Sequence, residues 1–139
     1  MAYQRERRLQ FAPGLASAIQ VVGSTATILS PFGTSVINVA GAGAKVFTLA
    51  LPAGAPPLSA GIQKNIVCNA TGVLKVSVTV AGATTAGFLV GAGGNAAGST
   101  FRTIVFSSKS TQRRTAMLVS LDNTRFGLVS MSTGTSLAG

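Results

Sequence analysis

From about residue 20 onward the chain is a succession of short apolar, β-branched stretches separated by Gly, Pro, Asn and Ser, and helix signals are nearly absent. Between Val73 and Val80 the apolar and polar positions alternate, which puts Val76, Val78 and Val80 on one face of a strand and Lys75, Ser77 and Thr79 on the other. The segment Lys45 to Leu51 opposes Val46 to Phe47, Leu49 and Leu51. It should stop at Pro52, which has no backbone donor for a ladder. Further strands are expected at Thr27 to Leu29, Ser35 to Val39, Ile62 to Cys68, Phe101 to Phe106, Thr115 to Leu121 and Arg125 to Met131.

The last two of these flank Asp122, Asn123 and Thr124, a short polar link whose Asp and Asn suit a tight turn, so a C-terminal hairpin is predicted. The Gly- and Ala-rich run from Ala81 to Ser99 reads as a long loop around one short strand at Phe88, Leu89 and Val90. The fold class that follows is all-β: an antiparallel β-sandwich or barrel of about eight short strands with a flexible basic N-terminal arm. Residues 1–20 form the arm, 21–132 a single β-domain, and 133–139 a polar tail or a last strand edge.

Composition narrows the chemistry. Two acidic residues, Glu6 and Asp122, and no histidine stand against eleven lysines and arginines. General acid–base catalysis draws first on His, Glu and Asp, and metal sites draw on these and Cys in groups of three or four. Neither a catalytic set, a cofactor site nor a metal site can be assembled from that inventory. A serine hydroxyl beside a lysine is the one remaining route to a nucleophile, and it would require strands to bring the pair together. The segment GAGGNAAGST is glycine-rich, as phosphate-cradling loops are, but lacks the strand–loop–helix setting and the lysine of a nucleotide site. The chain is read as non-enzymatic.

Charged residues are only 9% of the chain and hydrophobic ones 47%, so much of the surface must be Ser, Thr, Gly and Ala. Such a surface favours burial in an assembly. No apolar run reaches the ~18 residues of a membrane helix. Cys68 is the only cysteine; after Ile66 and Val67 it reads as a small core residue at a half-buried strand position, in keeping with synthesis in a reducing cytoplasm.

The formal net charge of +9 makes nucleic acid a candidate partner, yet the chain has no Trp and one Tyr to stack on bases. The basic residues fall into two clusters: Arg5, Arg7 and Arg8 in the arm, and Lys109, Arg113 and Arg114 in the loop before a strand. Both are better placed to dock on an acidic protein surface. In the arm, Arg5, Arg7 and Arg8 can pair with carboxylates while Leu9 and Phe11 supply apolar burial. The candidate partner-binding residues are therefore Arg5, Arg7, Arg8, Leu9, Phe11, Arg113 and Arg114.

From Lys45 the order of features resembles bacteriophage capsid-decoration, cement and fibre β-modules: VFTLALPAG, then AGIQKNIVCNATG, then VLKVSVTVAG, with TAMLVSLDNTRFGLVS as the closing hairpin and Phe126 after its turn. The resemblance covers roughly Lys45 to Ser130. It implies a virion structural protein that decorates or cements a capsid as a homotrimer, with a major capsid protein or another virion protein as partner. A receptor-binding tail-fibre or spike module and a basic nucleic-acid-binding protein are the alternatives.

Overall fold

The computed structural model describes residues 19–23, 27–54, 57–71, 75–82, 87–90, 100–107 and 113–138, and for 87–90 and 100 the backbone alone. Twelve strands are present among them: β1 (Ile19–Val22), β2 (Ile28–Leu29), β3 (Gly33–Ile37), β4 (Ala44–Leu49), β5 (Gln63–Cys68), β6 (Lys75–Val80), β7 (Gly87–Val90), β8 (Thr100–Phe101), β9 (Thr103–Ser107), β10 (Arg114–Ser120), β11 (Arg125–Met131) and β12 (Thr135–Ala138). No helix occurs among the described residues. The all-β class is as expected. The strand count is corrected upward from eight, with β1, β7, β8 and β12 as the additions; β7 is the short strand expected inside the glycine-rich run.

The strands form two sheets, β1-β3-β5-β10-β11-β7-β8 and β12-β9-β6-β4-β2, which are not closed into a barrel. The expectation of antiparallel pairing is corrected as well: five of the ten pairings are parallel. The reason lies in the route of the chain. From β1 to β6 successive strands alternate between the sheets, so that β1, β3 and β5 lie parallel in the first and β2, β4 and β6 parallel in the second. Parallel neighbours need a crossover rather than a tight turn, and here the crossover is a strand of the opposite sheet. The result is a coil of three turns.

The second and third turns are related by a constant offset. Gly33 pairs with Lys64, Ile37 with Cys68, Ala44 with Lys75 and Leu49 with Val80, each 31 positions apart, and an isolated parallel bridge joins Ala40 to Thr71 at the same spacing. Equivalent positions therefore stack. The Asn69 Nδ2 donates to Asn38 Oδ1 at 3.4 Å, and Asn69 N donates to Ile37 O at 2.8 Å. The pattern is visible in sequence as V-I-N-V-A-G at 36–41 against V-C-N-A-T-G at 67–72.

After β6 the coil ends. β9 lies antiparallel on β6 and β10 antiparallel on β5, so each strand of the last turn is covered on its outer side. β11 returns beside β10 through the predicted Asp122 turn. β12 pairs with β9, so the segment 133–139, expected as a tail or a strand edge, supplies the edge strand of the second sheet. The inward faces of both sheets meet in one core that includes Ile37, Ile66, Leu118 and Phe126 from the first sheet and Leu29, Phe47, Leu49, Val78, Ile104 and Phe106 from the second. Burying side chains of this size contributes about 1.5 to 3 kcal/mol each.

Candidate functional site

Period-two alternation decides what the first sheet shows to the outside. With Ser35, Ile37, Ile66, Cys68, Ala116 and Leu118 turned inward, the intervening Thr34, Val36, Asn65, Val67, Thr115, Met117 and Val119 face outward. None of them is charged. Thr34, Asn65, Val67, Thr115 and Met117, with Ser130 of β11, line a shallow depression of about 290 Å³ over β3, β5, β10 and β11. Asn65 Oδ1 is buried there with no hydrogen-bond partner. Towards the β1 edge the face becomes more apolar, with Ile19 57% and Val21 66% exposed.

The outward side of the second sheet is similar. Ile28, Val46, Thr48, Ser77, Thr79, Thr103 and Val105 occupy it, and the Thr79 and Thr103 hydroxyls pair across β6 and β9 at 3.0 Å. Charged side chains on the surface sit at strand ends and in turns: Lys75 opens β6, Arg113 precedes β10, and Arg125 opens β11, where it pairs with Asp122 at 2.8 Å. Among the described residues a chain of high net charge therefore shows two sheet faces made mainly of hydroxyl and aliphatic groups, with Lys75 at the rim of the second. Such faces suit contact with another uncharged surface, because no ion has to be desolvated.

Of the expected partner-binding residues, Arg5, Arg7, Arg8, Leu9 and Phe11 lie outside the described residues. Arg113 is exposed. Arg114, expected beside it at the surface, is buried at 5% exposure, which corrects that reading. As the first residue of β10 it takes the inward position. Its Nε donates to Ser107 O at 2.6 Å and its Nη1 donates to Thr133 O, so the guanidinium ties β10 to the second sheet. Cys68 lies opposite Arg114 across the β5–β10 ladder, buried, with its thiol pushed up to about 11 by burial despite the nearby guanidinium.

The first sheet also buries a lysine. Lys64 Nζ donates to Ser35 Oγ at 2.6 Å, to Phe32 O at 3.2 Å and to Ser30 Oγ at 3.5 Å. Ser35 Oγ in turn donates to Gln20 Oε1 at 2.8 Å, which also accepts from Ser30 N, while Gln20 Nε2 donates to Ile28 O. One polar row thus runs from β5 through β3 to β1 and across to β2. Burial lowers the Lys64 pKa from 10.5 to about 8, as removal from water penalises the charged form.

This row contains the serine–lysine pair that nucleophilic chemistry would require, at hydrogen-bonding distance. Both side chains are fully buried, and the serine proton is directed to Gln20 rather than to the amine. The arrangement does structural work: it satisfies all three ammonium donors and joins all three turns of the coil, from β5 through β3 to β1 and β2. Neither it nor the 31-residue repeat was found by reading strands one at a time; the recurrence of V-x-N-x-x-G at 36–41 and 67–72 was the available signal for the repeat.

Among the described residues no group of three or more His, Cys, Asp or Glu could hold a metal ion, and no helix is long and apolar enough to cross a membrane. No protein-family model, no curated protein and no solved structure matches this chain.

Proposed function

We propose that the chain is a virion structural subunit that decorates or cements a bacteriophage capsid by symmetric assembly, with its basic N-terminal arm docking as part of the attachment. The observation that carries the reading is the scarcity of charge on the outward sheet faces of a chain of net charge +9: none at the outward positions of β3, β5 and β10, and one lysine, Lys75, at the start of β6 on the second sheet. Faces of that kind are buried at modest cost between like subunits, while charges confined to ends and loops remain available to a different, acidic partner. The segments that resemble decoration and fibre modules occupy β4, β5, β6 and the β10–β11 hairpin, with Phe126 buried after the turn.

In this reading the subunit is a trimer, and its work is mechanical, because many modest interfaces summed over a shell resist expansion. The arm supplies Arg5, Arg7 and Arg8 to carboxylates of the major capsid protein or another virion protein, with Leu9 and Phe11 burying apolar area beside them. Of the second cluster's described residues, Arg113 is the exposed one.

Light scattering on the nucleic-acid-free protein at low and high salt tests the assembly. A salt-resistant trimer is expected. A monomer that binds DNA tightly and releases it as salt is raised would overturn the reading in favour of a nucleic-acid-binding protein. Alanine at Arg5, Arg7 and Arg8 together should abolish capsid attachment and leave the β-domain folded.

A further inference from the structure

The described cations are divided unequally between the two ends of the sandwich. The ends of β3, β5, β9 and β11 meet the starts of β4, β6, β10 and β12 at one end, where Cys68 pairs with Arg114 and Lys75 with Ser107. The turn at Asp122 and the starts of β5, β9 and β11 lie at the other. At this second end each described cation is engaged: Arg125 by the Asp122 carboxylate, Arg102 by Gly82 O at 2.9 Å, and Lys64 by its buried row. Asp122 is the one acid among the described residues, so none of them sets a carboxylate against the cations of the first end.

Four cations gather at that first end. Lys75, exposed, opens β6 and lies in register between Ala44 of β4 and Ser107 of β9. Lys45 follows Ala44 on the neighbouring strand, which sets the two lysine backbones about 6 Å apart by strand spacing and rise. Arg113, exposed, precedes β10 of the opposite sheet. Arg114 is buried between the sheets, and its guanidinium donates to Ser107 O and Thr133 O, so its charge meets carbonyls and no carboxylate among the described residues. A buried charge is screened less by salt than a surface one, and its field adds to that of the three around it. Like charges held this close repel, and a partner that supplies carboxylates relieves the repulsion.

The arrangement favours one class of partner. Sequence-tolerant nucleic-acid sites line a groove with cations and stack bases on aromatic rings. Here the cations ring the end of a sandwich, and Phe32, the aromatic side chain with large exposure among the described residues, precedes β3 at the opposite end. Asn38, Asn69 and Thr71, all exposed, stand beside the cations and offer amide and hydroxyl groups to a protein backbone. We infer that this end of the sandwich, with Lys45, Lys75 and Arg113 around the buried Arg114, is a docking surface for a cluster of carboxylates on an acidic protein. The inference rests on the proposed function for the source of those carboxylates, a virion protein, and gives the folded domain a contact of its own besides the arm.

Poly-L-glutamate is the probe, titrated into isotope-labelled full-length protein followed by amide NMR. Shifts should concentrate at Lys45, Asn69, Lys75 and Arg113 and be absent at Thr124 and Arg125; equal shifts at both ends would overturn the assignment. Lys45→Gln, Lys75→Gln and Arg113→Gln together should weaken polyglutamate binding about tenfold, and several-fold more than Arg5→Gln, Arg7→Gln and Arg8→Gln, which remove equal charge from the arm. Equal losses would mean that binding follows net charge alone, against the inference. Duplex DNA, measured in parallel, should lose affinity equally in the two triple variants. A DNA loss confined to the first variant would make the surface a nucleic-acid site instead. No capsid is present, so failure here is separable from failure of the proposed assembly, which light scattering reads.

Discussion

The Arg114 guanidinium lies against Gly134, in the space that the Cβ of any other residue at 134 would need, and Gly134 itself has a φ of 80°. Glycine is required twice over: for the left-handed backbone in the turn before β12 and for the room in which a buried arginine donates to Ser107 O and Thr133 O. Gly134→Ala should therefore cost about 2 to 4 kcal/mol, combining backbone strain with displacement of a buried charge. In an Arg114→Ala background the same change should cost only the backbone share, about 1 kcal/mol. Denaturant unfolding of the four proteins of this cycle measures the coupling; additive costs would show that the guanidinium does not depend on Gly134.

Lys64 makes stability depend on alkaline pH. Its folded pKa of about 8 lies below its ordinary 10.5, so below pH 8 it is charged in both states and the full desolvation penalty is present. Between pH 8 and 10.5 Lys64 is more protonated in the unfolded chain than in the folded one, so its own contribution to stability rises with pH by up to about 3 kcal/mol, against an opposite contribution from Cys68 above pH 9. Lys64→Met removes that rise. Chemical denaturation of both proteins from pH 7.5 to 10.5 compares the slopes; equal slopes would assign the rise to another group.

Cys68 should be inert as long as the fold is intact. With its pKa raised from 9.0 to about 11, its thiolate fraction at pH 8 is about a hundredfold below that of an unperturbed thiol, before access is considered. Labelling by a disulfide exchange reagent should follow global unfolding, accelerating with denaturant at the rate that unfolding permits. Rapid labelling in native buffer would place the thiol at the surface.

The Asp122 carboxylate organises the closing hairpin. Its Oδ1 accepts from Thr124 N and Thr124 Oγ1 at 2.8 and 2.7 Å, and its Oδ2 accepts from Arg125 Nε and Nη2. The Arg125 contact, then those from Thr124, hold its pKa at about 2 against the ordinary 3.8. A depressed carboxylate contributes stability that is present above pH 3.8 and is lost as pH falls towards 2. At neutral pH Asp122→Ala should destabilise the domain by about 1 kcal/mol, and the wild-type advantage should vanish near pH 2 in parallel unfolding curves.

Much of the strand layout was legible without coordinates. The alternation in β4 and β6 and the polar Asp-Asn-Thr link between β10 and β11 are local patterns, and local patterns survive folding. The short strands β1 and β8 were not separated from their neighbours, and 133–139 was read only as a tail or a last strand edge, because segments of two to four residues become strands only when an existing edge is there to pair with. Arg113 and Arg114 were read as one cluster, yet a one-residue step along β10 places one in water and the other under the second sheet.

By itself, then, the sequence determined an all-β chain with a basic arm, little ionisable chemistry and a surface of small hydroxyl and aliphatic groups, since these follow from composition and from a period of two. Only the tertiary structure decided that the strands coil between two sheets in parallel and that Lys64 and Arg114 turn inward. Those features depend on pairing between positions 31 residues apart and on which face of a strand meets the core, and both are settled by closure of the coil as a whole.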